Sequence, residues 1–168
     1  VNLFVVSDHG MADTGADRLV FVDDFVDLAG VYADNWGPWS PLRPPAGTEA
    51  AFATSLVDIP HATCALTNDL PARLHYSGSD RIAPVHCIAD VGWSLTTRPW
   101  AEEYPDWNDG GTHGYDPEAT EMHGILVARG PALKVGLNVP LMENVHLYGL
   151  MAHILGASPA DNDGDPAV

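Results

Sequence analysis

Basic residues are scarce in this sequence. Seven Lys and Arg side chains stand against 23 Asp and Glu side chains in 168 residues, which gives a formal net charge of −16 at pH 7. A surface of this sign repels polyanions and anionic membranes. The composition therefore argues against bulk nucleic acid as a partner. A small phosphorylated substrate remains compatible, because bound divalent cations supply local positive charge.

Long apolar runs are also absent. No stretch of the sequence is apolar over the length that a bilayer span requires, so no membrane-spanning segment is predicted. With 46% hydrophobic and 18% charged residues, the chain can bury one core and is predicted to form one domain at most. The sequence leaves the oligomeric state open.

Cysteine is rare as well. Cys64 and Cys87 lie in separate apolar contexts without a Cys-x-x-Cys spacing, which excludes a metal knuckle and a redox motif. Buried thiols and a single disulfide both fit this pattern, and neither fixes the compartment.

The chain opens on an apolar, β-branched run from Val1 to Val6, which predicts a buried parallel strand. No initiator methionine precedes it. We therefore expect residues 1–168 to be the C-terminal part of a longer protein.

The rest of the chain alternates short apolar runs with polar loops. A stretch rich in Pro, Gly and Trp, from Tyr32 to Gly47, predicts a loop. A helix is predicted from Glu49 to about Val57 after a Thr48 cap, and a final helix after an Asn144 cap, closed by Gly156. The other predicted elements are short strands near Leu19–Val22, Ala72–Tyr76, Val85–Ala89 and Met122–Ala128.

Two polar clusters far apart in the chain carry the chemistry. Asp8 and His9 follow the first strand directly, and His113 lies in a glycine-rich loop. A carboxylate and two imidazoles form a ligand set that Zn²⁺ accepts in hydrolases. Tyr115 and Asp116 follow His113 and are placed to orient it. The structural alternative is an ordinary strand-end turn together with a surface histidine.

Other residues with possible chemistry have a stronger structural interpretation. Six histidines lack a partner motif and are predicted to be solvated or satisfied in the core: His61, His75, His86, His123, His146 and His153. The loop tryptophans Trp36, Trp39, Trp100 and Trp107 fit a substrate groove, but packing of loops onto the body is favoured. For Arg73, Arg81 and Arg129, ion pairing is favoured over phosphate binding.

Six segments in a fixed order resemble the nucleotide pyrophosphatase/phosphodiesterase family of the alkaline phosphatase superfamily. They span nearly the whole chain and are more specific together than any one alone. The segments are Ser7–Met11, Leu70–Tyr76, Ile88–Trp93, Gly111–Asp116, Ala128–Lys134 and Asn144–Tyr148.

The resemblance implies an α/β fold, a fragment of an alkaline-phosphatase-like fold with a largely parallel central sheet flanked by helices. Residues 1–168 would be the C-terminal part of a single phosphodiesterase catalytic domain. The implied activity is hydrolysis of phosphodiester or pyrophosphate bonds in nucleotides or small phosphorylated alcohols.

The resemblance also implies a site with two Zn²⁺ ions. Asp8 and His9 would bind the zinc that activates the nucleophile, and His113 would bind the other zinc. The nucleophile, a Thr or Ser, and the remaining ligands would precede Ser7, so this chain alone is expected to be inactive. The family also favours a periplasmic or extracellular location.

Two rival interpretations share the same scaffold. One is a related superfamily hydrolase, either a phosphonate hydrolase or a phosphomonoesterase. The other is a binding domain that has lost the chemistry.

Overall fold

A computed structural model describes residues 1–167. The chain divides into two compact units. The central unit spans His9–His123, and the terminal unit combines Val1–Asp8 with the described part of Gly124–Val168.

Short strands and a few helices make up both units. The strands in chain order are β1 (Leu3–Val6), β2 (Ala12–Thr14), β3 (Leu19–Phe21), β4 (Tyr32–Ala33), β5 (Trp39–Arg43), β6 (Ala62–Leu66), β7 (Val85–Ala89), β8 (Ser94–Thr96), β9 (Gly110–Thr112) and β10 (Leu126–Arg129). The helices are α1 (Glu49–Ser55), α2 (Arg98–Glu103) and α3 (His146–Leu155). The class is therefore mixed α/β, as predicted.

The largest sheet lies in the central unit and has the order β4-β5-β7-β6, with every pair antiparallel. β7 is interior to this sheet, which agrees with its predicted apolar run. Cys64 on β6 lies opposite Cys87 on β7, and the two form a disulfide. Of the two states left open by the sequence, the structure shows the disulfide.

The prediction of a loop from Tyr32 to Gly47 is wrong, since β4 and β5 lie within it. β5 tolerates Pro41 because the backbone position without an N–H faces β4 and not β7. The carbonyl of Pro41 accepts a hydrogen bond from the Asp34 backbone on the β4 side. In an antiparallel strand, the N–H and C=O of one residue point the same way. The ladder from β5 to β7 is therefore left intact.

Two smaller pairs complete the strands of the central unit. β3 and β8 are parallel, while β2 and β9 are antiparallel. Among the described strands, β3 and β8 are the parallel pair and all other pairs are antiparallel. The described strands thus do not form the largely parallel sheet that the resemblance implies.

The hydrophobic core lies in the central unit. Its largest aliphatic members have no exposed surface and come from strands, loops and the end of α1: Val22, Leu42, Leu56, Val85 and Leu95. Burial of each such side chain contributes roughly 1.5–3 kcal/mol. This core holds the loops that carry the polar clusters of the unit.

In the terminal unit, β1 pairs antiparallel with β10. Leu3 is 60% exposed and Val5 50% exposed, so the prediction of a buried parallel strand is wrong. An apolar run specifies an extended backbone but not the direction of its partner or what covers its faces. β10 begins at Leu126, later than the predicted start at Met122.

Helix α3 confirms the predicted final helix, and it ends at Gly156 in a left-handed conformation. Its N-cap is Val145 rather than Asn144. The Asn144 amide donates to the Asp8 carbonyl instead, at 3.5 Å.

Within residues 1–167, no helix has both the length and the apolar character needed to cross a bilayer.

Two further local predictions differ from the structure. The segment Ala72–Tyr76 is not a strand, because Ala72–Leu74 form a 3-10 turn that ends at His75 with φ of 48°. Helix α1 confirms the prediction of a helix after Thr48. The Thr48 hydroxyl donates to the Pro45 carbonyl and does not cap α1.

Candidate metal centre

The pairing of β2 with β9 brings His9 and His113 together. In this register Ala12 lies opposite Thr112, so the residues before Ala12 and after Thr112 leave the ladder at the same end. The two imidazole rings stack there, with centroids 3.6 Å apart and planes inclined by 16°. Sequence reasoning assigned both residues to one metal site. The structure shows that the two side chains meet, and their role as ligands stays a prediction.

The His9 ring is held by a backbone carbonyl. Its Nδ1 lies 2.7 Å from the Gly10 carbonyl oxygen. Because a carbonyl oxygen only accepts hydrogen bonds, Nδ1 carries the proton, and in the neutral ring the lone pair lies on Nε2. A metal-ligating histidine is usually fixed in this way, with one ring nitrogen donating to a carbonyl or carboxylate.

Each histidine is followed by a glycine that the local backbone requires. A Cβ on Gly10 would lie 2.0 Å from the Glu121 carbonyl oxygen, and the Gly10 N–H donates to the Met122 carbonyl at 2.9 Å. Gly114 has φ of +103°, a conformation that side-chain-bearing residues rarely adopt. Both positions set the path of the backbone beside an imidazole.

The loop that carries His113 is anchored on its C-terminal side. Arg73 donates to both carboxylate oxygens of Asp116, at 2.7 and 2.5 Å, and also approaches Glu118 at 3.4 Å. The hydrogen bonds from Arg73 hold the pKa of the Asp116 carboxyl below its ordinary value. The favoured prediction of ion pairing for Arg73 is confirmed.

Tyr115 and Asp116 act on the loop rather than on the imidazole. Tyr115 is 4% exposed and belongs to the hydrophobic core, and burial raises the pKa of its phenol. Asp116 is bound by Arg73. Core packing of Tyr115 and the ion pair of Asp116 hold the backbone just after His113 in place. They therefore position His113 through the backbone.

Asp8 belongs to the terminal unit and is exposed. It directly precedes His9 in the chain, and its carbonyl accepts from Asn144. The role of Asp8 as a metal ligand stays a prediction.

His86 is one of the six histidines predicted to be solvated or satisfied in the core. It is fully buried, its Nδ1 accepts from Trp39 Nε1 at 2.9 Å, and its Nε2 donates to the Ala83 carbonyl at 2.9 Å. Both ring nitrogens are satisfied, as the structural interpretation predicts.

The chain's own donors fit part of a zinc site. Two imidazoles in contact, one of them oriented through Nδ1, are suitable zinc ligands. Among residues 1–167, no group of three or more His, Cys, Asp or Glu side chains is arranged to hold a metal ion. Further ligands, in addition to the side chains that lie together in residues 1–167, would therefore be needed to complete the coordination sphere of a metal ion.

Comparison with known proteins identifies the family of this chain. The profile of the type I phosphodiesterase/nucleotide pyrophosphatase family matches residues 1–116. The chain is 32% identical over 164 residues to bis(5'-adenosyl)-triphosphatase ENPP4 of Bos taurus and 31% identical to the Homo sapiens protein. Each alignment covers 98% of this chain and 35% of the relative. The chain thus spans about a third of the length of these curated relatives.

Solved structures agree with this result. Human ectonucleotide pyrophosphatase/phosphodiesterase 5 is 30% identical, with a TM-score of 0.87 over 98% of this chain and 43% of that chain. An inactive murine form of the same enzyme, in complex with AMP, has a TM-score of 0.85 with the same identity and coverage. The fold is alkaline-phosphatase-like. With two histidines meeting where the family motifs predict, the chain belongs to the type I phosphodiesterase/nucleotide pyrophosphatase family, a family of hydrolases.

Proposed function

We propose that this chain supplies Asp8, His9 and His113 to a two-zinc site that hydrolyses phosphodiester or pyrophosphate bonds in nucleotides or small phosphorylated alcohols. The observation that carries the proposal is the contact between the His9 and His113 rings. Folding has brought together two imidazoles from distant parts of the sequence in a chain of this family.

Each residue has a separate role in the proposed site. Asp8 and His9 would hold the zinc beside the nucleophile, and His113 would hold the second zinc. His9 would ligate through Nε2, because its Nδ1 proton is engaged by the Gly10 carbonyl. When bound, the two ions would supply positive charge to the entering and leaving oxygens of an in-line displacement.

The proposal requires residues in addition to the 168 of this chain. Three ligands shared by two ions fall short of the four positions that each zinc usually fills. A Thr or Ser nucleophile and the missing ligands would come from the part of the relatives' length that this chain does not span. The chain by itself would then bind zinc weakly and turn over little substrate.

The proposed substrate class has two supports. The relatives include proteins named bis(5'-adenosyl)-triphosphatase, and a murine neighbour was solved with AMP. The net charge of −16 disfavours long polyanions but leaves room for a small phosphorylated molecule drawn in by local cations.

We also propose a periplasmic or extracellular location. The disulfide between Cys64 and Cys87 supports it, because such bonds persist mainly in oxidising compartments. Alkylation of thiols before lysis of the native cells should leave both cysteines unlabelled. Labelling of both would contradict the proposed location.

The function is tested with the full-length protein that carries this chain. Hydrolysis of bis(p-nitrophenyl) phosphate should disappear after chelation and return with zinc. His9→Ala and His113→Ala should each lower kcat/KM by more than roughly 100-fold. His153→Ala, which removes an exposed imidazole from α3, is the matched control and should retain activity.

The same assay separates the rivals. A preference for p-nitrophenyl phosphate over the diester would favour a phosphomonoesterase. Zinc binding without turnover of any phosphate or phosphonate ester would favour a binding domain. Activity that survives both histidine substitutions would contradict the proposed site.

A further inference from the structure

A cavity of about 330 Å³ lies in the central unit, and its lining includes Gly114, the residue that follows His113. Five residues line it: Trp39, Leu74, Tyr76, Gly114 and Pro117. None of these five side chains carries a charge. A cavity with this lining suits an uncharged part of a ligand, since burying a phosphate there without a cationic partner would be costly.

Two aromatic rings form the walls of this cavity. The rings of Trp39 and Tyr76 lie 5.2 Å apart with planes inclined by 66°. Tyr76 is 39% exposed, so its ring is accessible from solvent. An edge-to-face pair of this kind offers both a ring face and a ring edge to a planar ligand.

The Trp39 wall is held in position from behind. Its indole N–H donates to Nδ1 of the fully buried His86, and the other nitrogen of His86 donates to the Ala83 carbonyl. The Tyr76 ring contacts the same imidazole at 5.2 Å between centroids. Because the hydrogen bond to His86 holds the Trp39 wall without a ligand, binding would cost little ordering of this side chain.

One residue of the cavity lining is the chain neighbour of a proposed zinc ligand. Gly114, which lines it, directly follows His113. Leu74 and Pro117 line it as well, and each is the chain neighbour of a member of the Arg73–Asp116 ion pair. The contact that anchors the His113 loop therefore also holds two sides of the cavity.

The position beside His113 identifies which part of the substrate would enter. In a double displacement, the water of the second step arrives from the side on which the leaving group departed in the first. Under the proposed function, His113 would hold the zinc that supports this water. Since Gly114 of the cavity lining directly follows His113, the cavity would then lie on the side of the leaving group.

We propose that Trp39 and Tyr76 form a leaving-group subsite that binds a planar, uncharged ring of the substrate. The inference rests on the proposed function for the side of the reaction that it assigns. The contact itself depends only on the cavity.

The test uses two thymidine 5'-monophosphate esters with the full-length protein, a phenyl ester and a trifluoroethyl ester. They share the transferred group and differ in whether the leaving group has an aromatic ring. Trp39→Leu and Tyr76→Leu should lower kcat/KM for the phenyl ester by roughly 3- to 10-fold more than for the trifluoroethyl ester. The ratio between the two esters cancels general damage to the enzyme.

Matched controls come from the other aromatic cluster. Trp100→Leu and Tyr104→Leu alter a tryptophan and an exposed tyrosine that contact each other on and beside α2. They should leave the ratio between the two esters unchanged. Should Trp39→Leu fail to fold because His86 loses its donor, Tyr76→Leu still decides the outcome.

A binding measurement separates this inference from the proposed function. Saturation-transfer NMR with phenol as the probe should show a signal that Tyr76→Leu abolishes and Tyr104→Leu preserves. Loss of the phenol signal in Tyr76→Leu without hydrolysis of either ester would overturn the function alone. Hydrolysis with equal losses for both esters, or a phenol signal indifferent to Tyr76→Leu, would overturn the subsite.

Discussion

His9 and His113 are each followed by a glycine, and the two glycines act by different means. Gly10 packs against backbone, where the Glu121 carbonyl leaves no room for a Cβ. Gly114 supplies a backbone angle, with φ of +103°. Small residues beside imidazoles therefore determine where the proposed ligands point.

Gly114→Ala should disturb the site through the backbone. An alanine is strained at this φ by about 1–2 kcal/mol or must move the chain, which displaces His113. We expect zinc affinity of the full-length protein to fall by roughly 10- to 100-fold in a competition titration with a chelating dye.

Gly136→Ala is the control for that substitution. Gly136 also has a positive φ, 72°, but lies in the terminal unit with open space around it. It should cost similar stability and leave zinc affinity unchanged. Equal zinc affinity in Gly114→Ala and the wild type would show that the loop does not set the ligand.

His86 gives the protein a pH-dependent stability. Burial lowers the pKa of its imidazole below the ordinary value, and a second ring proton would displace the Trp39 hydrogen bond. The unfolded chain then binds more protons than the folded chain below a pH of about 6.5, the usual pKa of histidine. This contribution to stability is fully present above that pH and is lost as pH falls.

The measurement is urea unfolding between pH 7 and pH 5. The free energy of unfolding should fall with a slope of up to about 1.4 kcal/mol per pH unit from this one site. His86→Gln should flatten the slope, whereas a His153→Gln control should retain it. An identical slope in His86→Gln and the wild type would exclude His86 as its source.

At the scale of elements, the disulfide joins two strands that already pair. Cys64 and Cys87 lie opposite each other on β6 and β7 and close a loop with a sequence separation of 23. Much of the stabilisation by such a bond arises because the cross-link restricts the unfolded chain.

Replacement of both cysteines by alanine should lower the free energy of unfolding by about 3 kcal/mol, the value expected for a loop of this length. Urea unfolding of the double variant and the wild type checks this value. The His9–His113 contact does not involve β6 or β7, so zinc affinity should persist. A double variant as stable as the wild type would contradict the assigned role of the disulfide.

Sequence reasoning worked for elements whose own residues carry the signal. β7 is a largely buried apolar run, and α3 has apolar residues at helical spacing before a terminal glycine. It failed where a distant partner decides the structure. Pro41 is accepted in β5 because the ladder to the distant β7 stays intact, and Arg73 lies in a turn rather than a strand, bound to the distant Asp116.

The candidate site follows the same rule. The motifs predicted that His9 and His113 would meet, because each motif carries a ligand type and a glycine at a turn. They did not predict that Asp116 would bind Arg73, since the two residues are far apart in the chain. Tyr76 was missed as a wall of the cavity, because only the path of the turn at Ala72–Leu74 places it beside Trp39.

At the scale of the whole molecule, the proposed zinc site belongs to a strongly acidic chain. The charge of −16 favours accumulation of cations, but it does not select a position for them. Selection would come from the stacked imidazoles and the carboxylate that precedes His9. The central claim is therefore about specific ligands and not about general acidity.

The most direct test is the zinc content of the full-length protein, measured by mass spectrometry of the metal after dialysis at high salt to screen nonspecific binding. The wild type should retain two zinc ions per chain, and His9→Ala and His113→Ala should each retain at most one. Two zinc ions in both variants, or none in the wild type after incubation with zinc, would contradict the account.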